Sequence, residues 1–263
     1  SFLFLFSANL SNTAFVSKIF LLYSKNMQNP SNNNRLKLPW LAPLILLILS
    51  IDVEAAEISA VRKYIETEEI NRFGQLISEF GENKELPPGY ELQALLALSH
   101  YPELKSVRIK FIIDDVGIPL SSRPHWPSLL RSAKNRTYLV VIDSNIDGPR
   151  DALLLKNQPF NAQVGIIGHE LSHTVYYLDR SFFGIAADAI CQFSDCRINF
   201  ERATDRRLIS HGLGWQRYDH ALFVRRRLAP GQEASAVPEE GGGAYMTPTE
   251  ILHIIQGSES YPN

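Results

Sequence analysis

The stretch from Val164 to Leu178 constrains the fold of this 263-residue chain more than any other. It contains no proline, and its apolar residues recur every three or four positions, which predicts a helix with one face packed on a core. His169 and His173 lie four positions apart in it, and Glu170 follows the first of them. Side chains four positions apart project from the same face of a helix, so both imidazoles can reach one metal ion. The stretch therefore predicts a helix that carries half of a metal site.

Residues on either side refine this prediction. Asn161 can cap the start of the helix, with Pro159 just outside it. Apart from Glu170, the residues that flank the two histidines are uncharged, whereas two unrelated histidines on a solvent-facing helix would have charged neighbours. Glu170 is expected beside the metal, where a carboxylate can take a proton from an activated water and so promote hydrolysis.

A catalytic zinc ion usually takes three protein ligands, so a third ligand has to be found. Glu201 is the first candidate, because a second helix can return it to the histidines, although an ion pair with neighbouring arginines is the alternative. Asp205 lies one turn further on the same face and can orient a ligating imidazole. Asp179 is the second candidate ligand, but the sharp turn that it needs would force Tyr176 into a backbone conformation that favours glycine.

These residues resemble the gluzincins, the thermolysin-like zinc metallopeptidases in which H-E-x-x-H is followed by E-x-x-x-D on a second helix. The resemblance covers His169, Glu170, His173, Glu201 and Asp205. It implies that His169, His173 and Glu201 bind Zn²⁺, that Glu170 is the general base, and that Asp205 orients a ligand. It also implies a peptide or protein substrate.

Such enzymes also use a histidine or tyrosine to stabilise the oxyanion of the reaction. The sequence does not choose among four candidates for this role, which are His211, Tyr218, His220 and Tyr245.

The segment 159–173 is also similar to small bacterial envelope proteins of this type, which implies a compact peptidase domain. A non-catalytic envelope protein that keeps a peptidase-like zinc-binding fold is the second hypothesis. Glu170 favours the enzyme, because a binding protein needs no base.

The remaining pattern predicts an α+β fold, a mainly helical zincin-like domain with a small β-sheet. Helical periodicity recurs in four further segments, which are 57–80, 89–101, 199–211 with Asn199 as its cap, and 215–228. Strands are predicted at 107–113, where apolar residues alternate, and at 137–142, where the run is rich in β-formers. The second strand is a candidate for the sheet edge, where an extended substrate can bind, and ordinary pairing inside the sheet is the alternative. The proline-containing segment 118–127 is expected to be a loop.

The N-terminal region predicts export. Counted from Met27, a short basic region, an apolar run at 38–51 and small residues up to Ala55 fit a secretory signal peptide at 27–55. Residues 1–26 are then an upstream extension. The apolar run is short for a membrane span of about 20 residues, although an uncleaved signal would anchor the protein in a membrane. A periplasmic or secreted protein is therefore expected.

The mature part is expected to hold the zincin-like metallopeptidase domain at 56–228 and, at 229–263, a linker and a helix that docks on the domain. Thr247 and Glu250 predict a capping box at the start of that helix. Cys191 and Cys196 can form a disulfide or remain free thiols, and the sequence leaves both possibilities open. The net charge is -2 and no basic run is interleaved with aromatic residues, so nucleic acid is not an expected partner. The sequence does not specify an oligomeric state.

Overall fold

A computed structural model describes residues 60–145, 149–191, 196–228 and 243–261. The α-helices within these ranges are α1 (Glu66–Glu69), α2 (Phe73–Phe80), α3 (Glu91–Leu98), α4 (Phe160–Leu178), α5 (Phe182–Cys191), α6 (Cys196–Leu208), α7 (Gly214–Leu228) and α8 (Pro248–Gln256). The strands are β1 (Lys84–Glu85), β2 (Arg108–Asp114), β3 (Leu120–Pro124) and β4 (Thr137–Asp143). This combination of many helices with one small sheet is compatible with the α+β class expected from the sequence.

The sheet is mixed, with the strand order β1-β2-β4-β3. Strands β1, β2 and β4 run parallel, and β3 runs antiparallel to β4. All seven residues of β4 are buried, as a continuous apolar run paired on both sides requires. The two strands predicted from the sequence are thus present as β2 and β4, within one residue of the expected bounds.

Of the two places considered for β4, the sheet edge is wrong and pairing inside the sheet is confirmed, because β4 lies between β2 and β3. The edge is formed by β3, which occupies part of the segment interpreted as a proline-containing loop. Proline is tolerated in an edge strand because a missing N–H group costs no hydrogen bond inside the sheet, and Pro124 is the last residue of β3. Proline content therefore marked an edge strand and not a loop.

Helix α4 is central to the described fold, packing against α3, α6 and α7 and against β3 and β4. Val164, Ile167 and Leu171 are fully buried, which confirms the predicted apolar face. The predicted cap is wrong, because α4 begins at Phe160 and Asn161 makes no cap hydrogen bond. The Asn161 side chain instead accepts a hydrogen bond from the backbone nitrogen of Tyr64 and donates one to Asp219. It therefore joins α4 to distant segments.

Helix α6 begins at Cys196, three residues earlier than expected, so Asn199 is an exposed residue of its first turn and not its cap. A π-type turn at Ile209–Leu213 separates α6 from α7. Gly212 has a φ of 82° in this turn, a left-handed conformation that glycine adopts at little cost. This break allows α6 and α7 to pack separately on α4.

The segment before and within α8 is joined closely to the rest of the described fold. The predicted capping box is present: the Thr247 side chain accepts a hydrogen bond from the Glu250 nitrogen, and the Glu250 side chain accepts one from the Thr247 nitrogen. Helix α8 packs against α7, and its residues Ile251 and Ile255 are buried. The C-terminal segment therefore contributes to the core around α7.

Several predictions from the sequence fall outside the described residues. These are the upstream extension and signal peptide at 1–55 and the linker residues 229–242. Cys196 is disulfide-bonded, so the free-thiol alternative is wrong for this residue, while the Cys191 side chain lies outside the described part. Within that part, no helix has both the length and the apolarity needed to span a bilayer.

Gly165 marks a very close approach of α4 to α7. A Cβ atom at this position would lie 2.3 Å from the backbone oxygen of Gln216. Gly165→Ala therefore forces the two helices apart, and we expect the free energy of unfolding to fall by about 1–3 kcal/mol. Gly74→Ala in α2 is the matched control, because its Cβ would meet nothing within 4 Å, and we expect a gain of about 0.5–1 kcal/mol. Urea unfolding followed by circular dichroism measures both, and equal effects would contradict the close approach.

Candidate metal site

His169, His173 and Glu201 form a buried cluster that could hold a metal ion. The two histidines lie one turn apart on α4, and Glu201 reaches them from the second turn of α6. The Oε2 atom of Glu201 lies 3.1 Å from Nε2 of His169 and 3.3 Å from Nε2 of His173. All three residues are at most 6% exposed. The structure thus brings together the three residues that the sequence predicts as ligands.

The ring of His169 is oriented by Asp205, whose Oδ1 atom lies 2.8 Å from Nδ1. Burial favours the neutral form of Asp205, but the Arg217 guanidinium and the hydrogen bond from His169 outweigh burial and hold the pKa of this carboxyl well below its usual range. An ionised carboxylate only accepts hydrogen bonds, so Nδ1 of His169 is the donor. The Nε2 atom is consequently the nitrogen that faces His173 and Glu201.

The ring of His173 is oriented by Thr204 on α6. Its Nδ1 atom lies 3.2 Å from the Thr204 hydroxyl, which donates its own proton to the Phe200 carbonyl at 3.0 Å. The hydroxyl therefore accepts from Nδ1, and Nε2 is again the nitrogen that faces Glu201. The Phe200 ring stacks on the imidazole with 5.0 Å between centroids. The sequence pattern did not single out Thr204, although its place three residues after Glu201 puts it on the same helix face.

Two imidazole nitrogens and one carboxylate oxygen thus converge on a single point. Groups that all act as acceptors repel at these distances unless a proton or a metal ion lies between them. Burial lowers the pKa of His169, but its hydrogen bonds to Asp205 and Glu201 outweigh burial and raise that pKa to about 9. In the metal-free protein a proton on His169 therefore neutralises the cluster, and a metal ion can take its place.

The Asp205 carboxylate connects three parts of the fold. It is fully buried and accepts hydrogen bonds from Nδ1 of His169, from Nε and Nη2 of Arg217 at 2.7 and 3.2 Å, and from the backbone nitrogen of Met246 at 2.9 Å. Arg217 belongs to α7, and Met246 precedes α8. Arg217 was not identified from the sequence, because no local pattern distinguishes it from the other arginines of its helix.

Glu170 is buried beside the cluster, with 5% of its surface exposed. Burial raises its pKa, and the nearby His173 and His169 offset part of this effect. Among the described residues, none forms a hydrogen bond to its carboxylate. A buried carboxylate whose pKa is raised accepts a proton more readily than an exposed one.

Tyr245 is the oxyanion candidate that lies at the cluster. Its ring meets the His169 ring edge-on, with 5.6 Å between centroids. The residue is 44% exposed, yet partial burial and the negative charges of Glu201 and Glu170 raise its pKa to about 12, an effect that a hydrogen bond with Arg197 partly offsets. The other three candidates have partners elsewhere: His211 pairs with Glu103, His220 with Gln158, and Tyr218 packs against Trp215. Tyr245 is therefore a protonated phenol at the edge of the cluster.

Asp179, the alternative ligand, is exposed at the C-terminal end of α4 and does not join the cluster.

No protein-family model, curated protein or solved structure matches this chain. The geometry of the cluster and its surroundings is consequently the basis for inferring function.

Proposed function

We propose that this protein is a zinc-dependent metallopeptidase, with the residue roles that the gluzincin resemblance implies. The observation that carries the proposal is the convergence of Nε2 of His169, Nε2 of His173 and Oε2 of Glu201, each imidazole being oriented by a partner at Nδ1. Two histidines and one glutamate are a donor set that catalytic zinc uses in peptidases. His169, His173 and Glu201 would hold the ion, since their ligand atoms all lie within 4.8 Å of one another.

Each residue around the cluster then has a role in hydrolysis. Zinc held by His169, His173 and Glu201 would supply a water whose pKa is lowered to ~7 and would polarise the scissile carbonyl. Glu170 takes a proton from the attacking water and passes it to the leaving amine. Tyr245 keeps its proton at neutral pH and donates a hydrogen bond to the developing oxyanion. Asp205 and Thr204 hold the two imidazoles in the orientation that exposes Nε2.

Strand β3 offers a binding place for an extended peptide. The Ser122 hydroxyl of β3 lies 3.0 Å from the Thr174 hydroxyl of α4, and Thr174 directly follows His173. Among the described strands β3 pairs only with β4, so its outer edge is free to pair with a peptide. These contacts support a peptide or an extended segment of a protein as the substrate.

The disulfide at Cys196 supports a periplasmic or secreted location. Disulfides persist in oxidising compartments and are rare in the reducing cytosol. A peptidase with this bond would act on peptides or proteins outside the cytosol, as the predicted signal peptide also indicates.

Metal removal tests the proposed activity. The purified protein is expected to hydrolyse a quenched-fluorescent peptide library, to lose this activity in a zinc chelator, and to regain it when zinc is added. A non-chelating isomer of the same compound is the control. Activity that survives the chelator would refute the metal mechanism, and zinc-loaded protein without hydrolysis would favour the binding-protein alternative.

Glu201→Gln is expected to weaken zinc binding by at least about 100-fold. Loss of a residue that only orients a metal ligand typically lowers metal affinity by about 10–100-fold, and this substitution removes a charged ligand itself. Competition with a fluorescent zinc chelator measures the affinity. Glu68→Gln, an exposed position on α1, is the matched control and should bind zinc as the wild type does. Equal affinities in the two variants would remove Glu201 from the ligand set.

A further inference from the structure

Helix α5 exposes its apolar side chains to solvent and turns its polar residue inward. The exposed positions hold only phenylalanine, alanine and isoleucine, namely Phe182, Phe183, Ala186, Ala187, Ala189 and Ile190. Phe183 is 81% and Ile190 74% exposed. Asp188 faces inward and pairs with Tyr176 and Arg180. A helix on the surface of a soluble protein normally has the opposite arrangement, so this face is suited to an apolar partner.

A second exposed apolar segment lies beside the start of α5. Trp126 is 63% and Leu130 89% exposed. The buried Arg136 guanidinium donates hydrogen bonds to the backbone oxygens of Leu129 and Arg131 and, through Nη1, to that of Arg180. The Arg136 side chain therefore joins the loop around Leu130 to Arg180, which lies two residues before α5. Trp126, Leu130, Phe182, Phe183 and Ile190 together form what we call the apolar surface.

Exposed basic residues adjoin the segments of the apolar surface in sequence. From 116 to 142 the sequence contains four arginines or lysines and no aspartate or glutamate, and of these Arg123, Arg131 and Lys134 are exposed. Arg180, which precedes α5, adds a further basic side chain. Among the described acidic residues close to α5 in sequence, Asp188 is paired with Arg180, and Asp179 is exposed. The exposed charged residues that adjoin the apolar surface in sequence are thus mainly positive, and we call them its positive rim.

We propose that the apolar surface docks on a lipid bilayer with anionic headgroups. Phenylalanine, tryptophan and leucine side chains enter the boundary between headgroups and acyl chains, while arginine and lysine side chains bind lipid phosphates. The positive rim favours this partner over a second copy of the chain, which would bring the same positive charges together.

Docking of α5 also orients the metal cluster, because three residues separate α5 from α4, which carries the two histidines. This part of the inference rests on the proposed function: the substrate of the peptidase is then a peptide segment that emerges from a membrane or lies on it. Lipid binding itself depends on the apolar surface alone, so the two proposals can fail separately.

Hydrogen exchange of the full chain tests the docking at α5 itself, whatever other part of the chain contacts lipid. Exchange of amides in 182–190 is measured with vesicles of phosphatidylcholine and with vesicles in which part of it is replaced by phosphatidylglycerol. We expect the phosphatidylglycerol vesicles to slow exchange by about tenfold or more, since two large apolar side chains leave water. Added salt should weaken the effect.

Charge on the apolar surface should remove the protection. The double variant Phe183→Glu, Ile190→Glu is expected to exchange at the lipid-free rate, and Ile70→Glu, at an exposed isoleucine outside the surface, to behave as the wild type does. Unchanged circular dichroism shows that each variant is folded. The proposal is overturned if amide exchange in α5 is not slowed by vesicles, or is slowed equally by both vesicle types. It is also overturned if exchange in α5 slows with rising protein concentration in the absence of lipid, which would indicate a second copy of the chain as the partner.

Discussion

Glu170→Gln is expected to bind zinc as the wild type does and to hydrolyse peptides about 10²–10⁴-fold more slowly. Glutamine has nearly the same shape as glutamate, but its amide cannot accept a proton from water. Glu201 and the two histidines remain in place, so the metal is expected to stay bound. Zinc content by mass spectrometry and the steady-state rate on one peptide substrate give the two readouts.

The same change at an exposed position separates this effect from a general effect of losing a charge. Glu68→Gln on α1 is expected to keep both zinc and activity. Wild-type turnover by Glu170→Gln would exclude Glu170 as the base. Loss of zinc together with activity would instead indicate that Glu170 is a ligand, and the ligand set would need to be assigned again.

Arg217→Met is expected to lower the free energy of unfolding by about 3–5 kcal/mol, because it leaves a buried carboxylate without the guanidinium that pairs with both of its oxygens. Arg217 holds both oxygens of Asp205 through Nε and Nη2, and both residues are almost fully buried. Methionine fills a similar volume but donates no hydrogen bond. Urea unfolding of the metal-free proteins measures the difference without a contribution from bound zinc.

Two further variants separate the ion pair from packing. Arg226→Met, an exposed position on the same helix, is expected to have little effect. Combining Arg217→Met with Asp205→Asn should recover part of the lost stability, because the unpaired charge is gone. A double variant that is as unstable as the sum of the two single variants would show that packing, and not charge, is the role of Arg217.

The sequence predicted most of the cluster because helical spacing is a local property. His169 and His173 share a face of α4, and Glu201 and Asp205 share a face of α6, whatever the rest of the chain does. The structure brings the first three together and places Asp205 behind His169. The positions of Arg217 and Tyr245 at the cluster could not be predicted from helical spacing, because each residue reaches the cluster only through the packing of a separate segment.

The errors have the same origin. Strand order depends on pairing between distant segments, so the apolar run of β4 indicated a strand but not its central position. Asn161 has a residue type that favours helix caps, yet its amide is used to bind Tyr64 and Asp219. Local preference was in both cases overridden by contacts far away in the sequence.

The hydrogen bond from the Met246 nitrogen to Asp205 joins the C-terminal segment to the carboxylate that orients His169. A metal ion held by the cluster would therefore be coupled to the attachment of this segment. Such coupling is reciprocal: the factor by which attachment of residues 243–261 would raise metal affinity is the factor by which the metal would strengthen attachment.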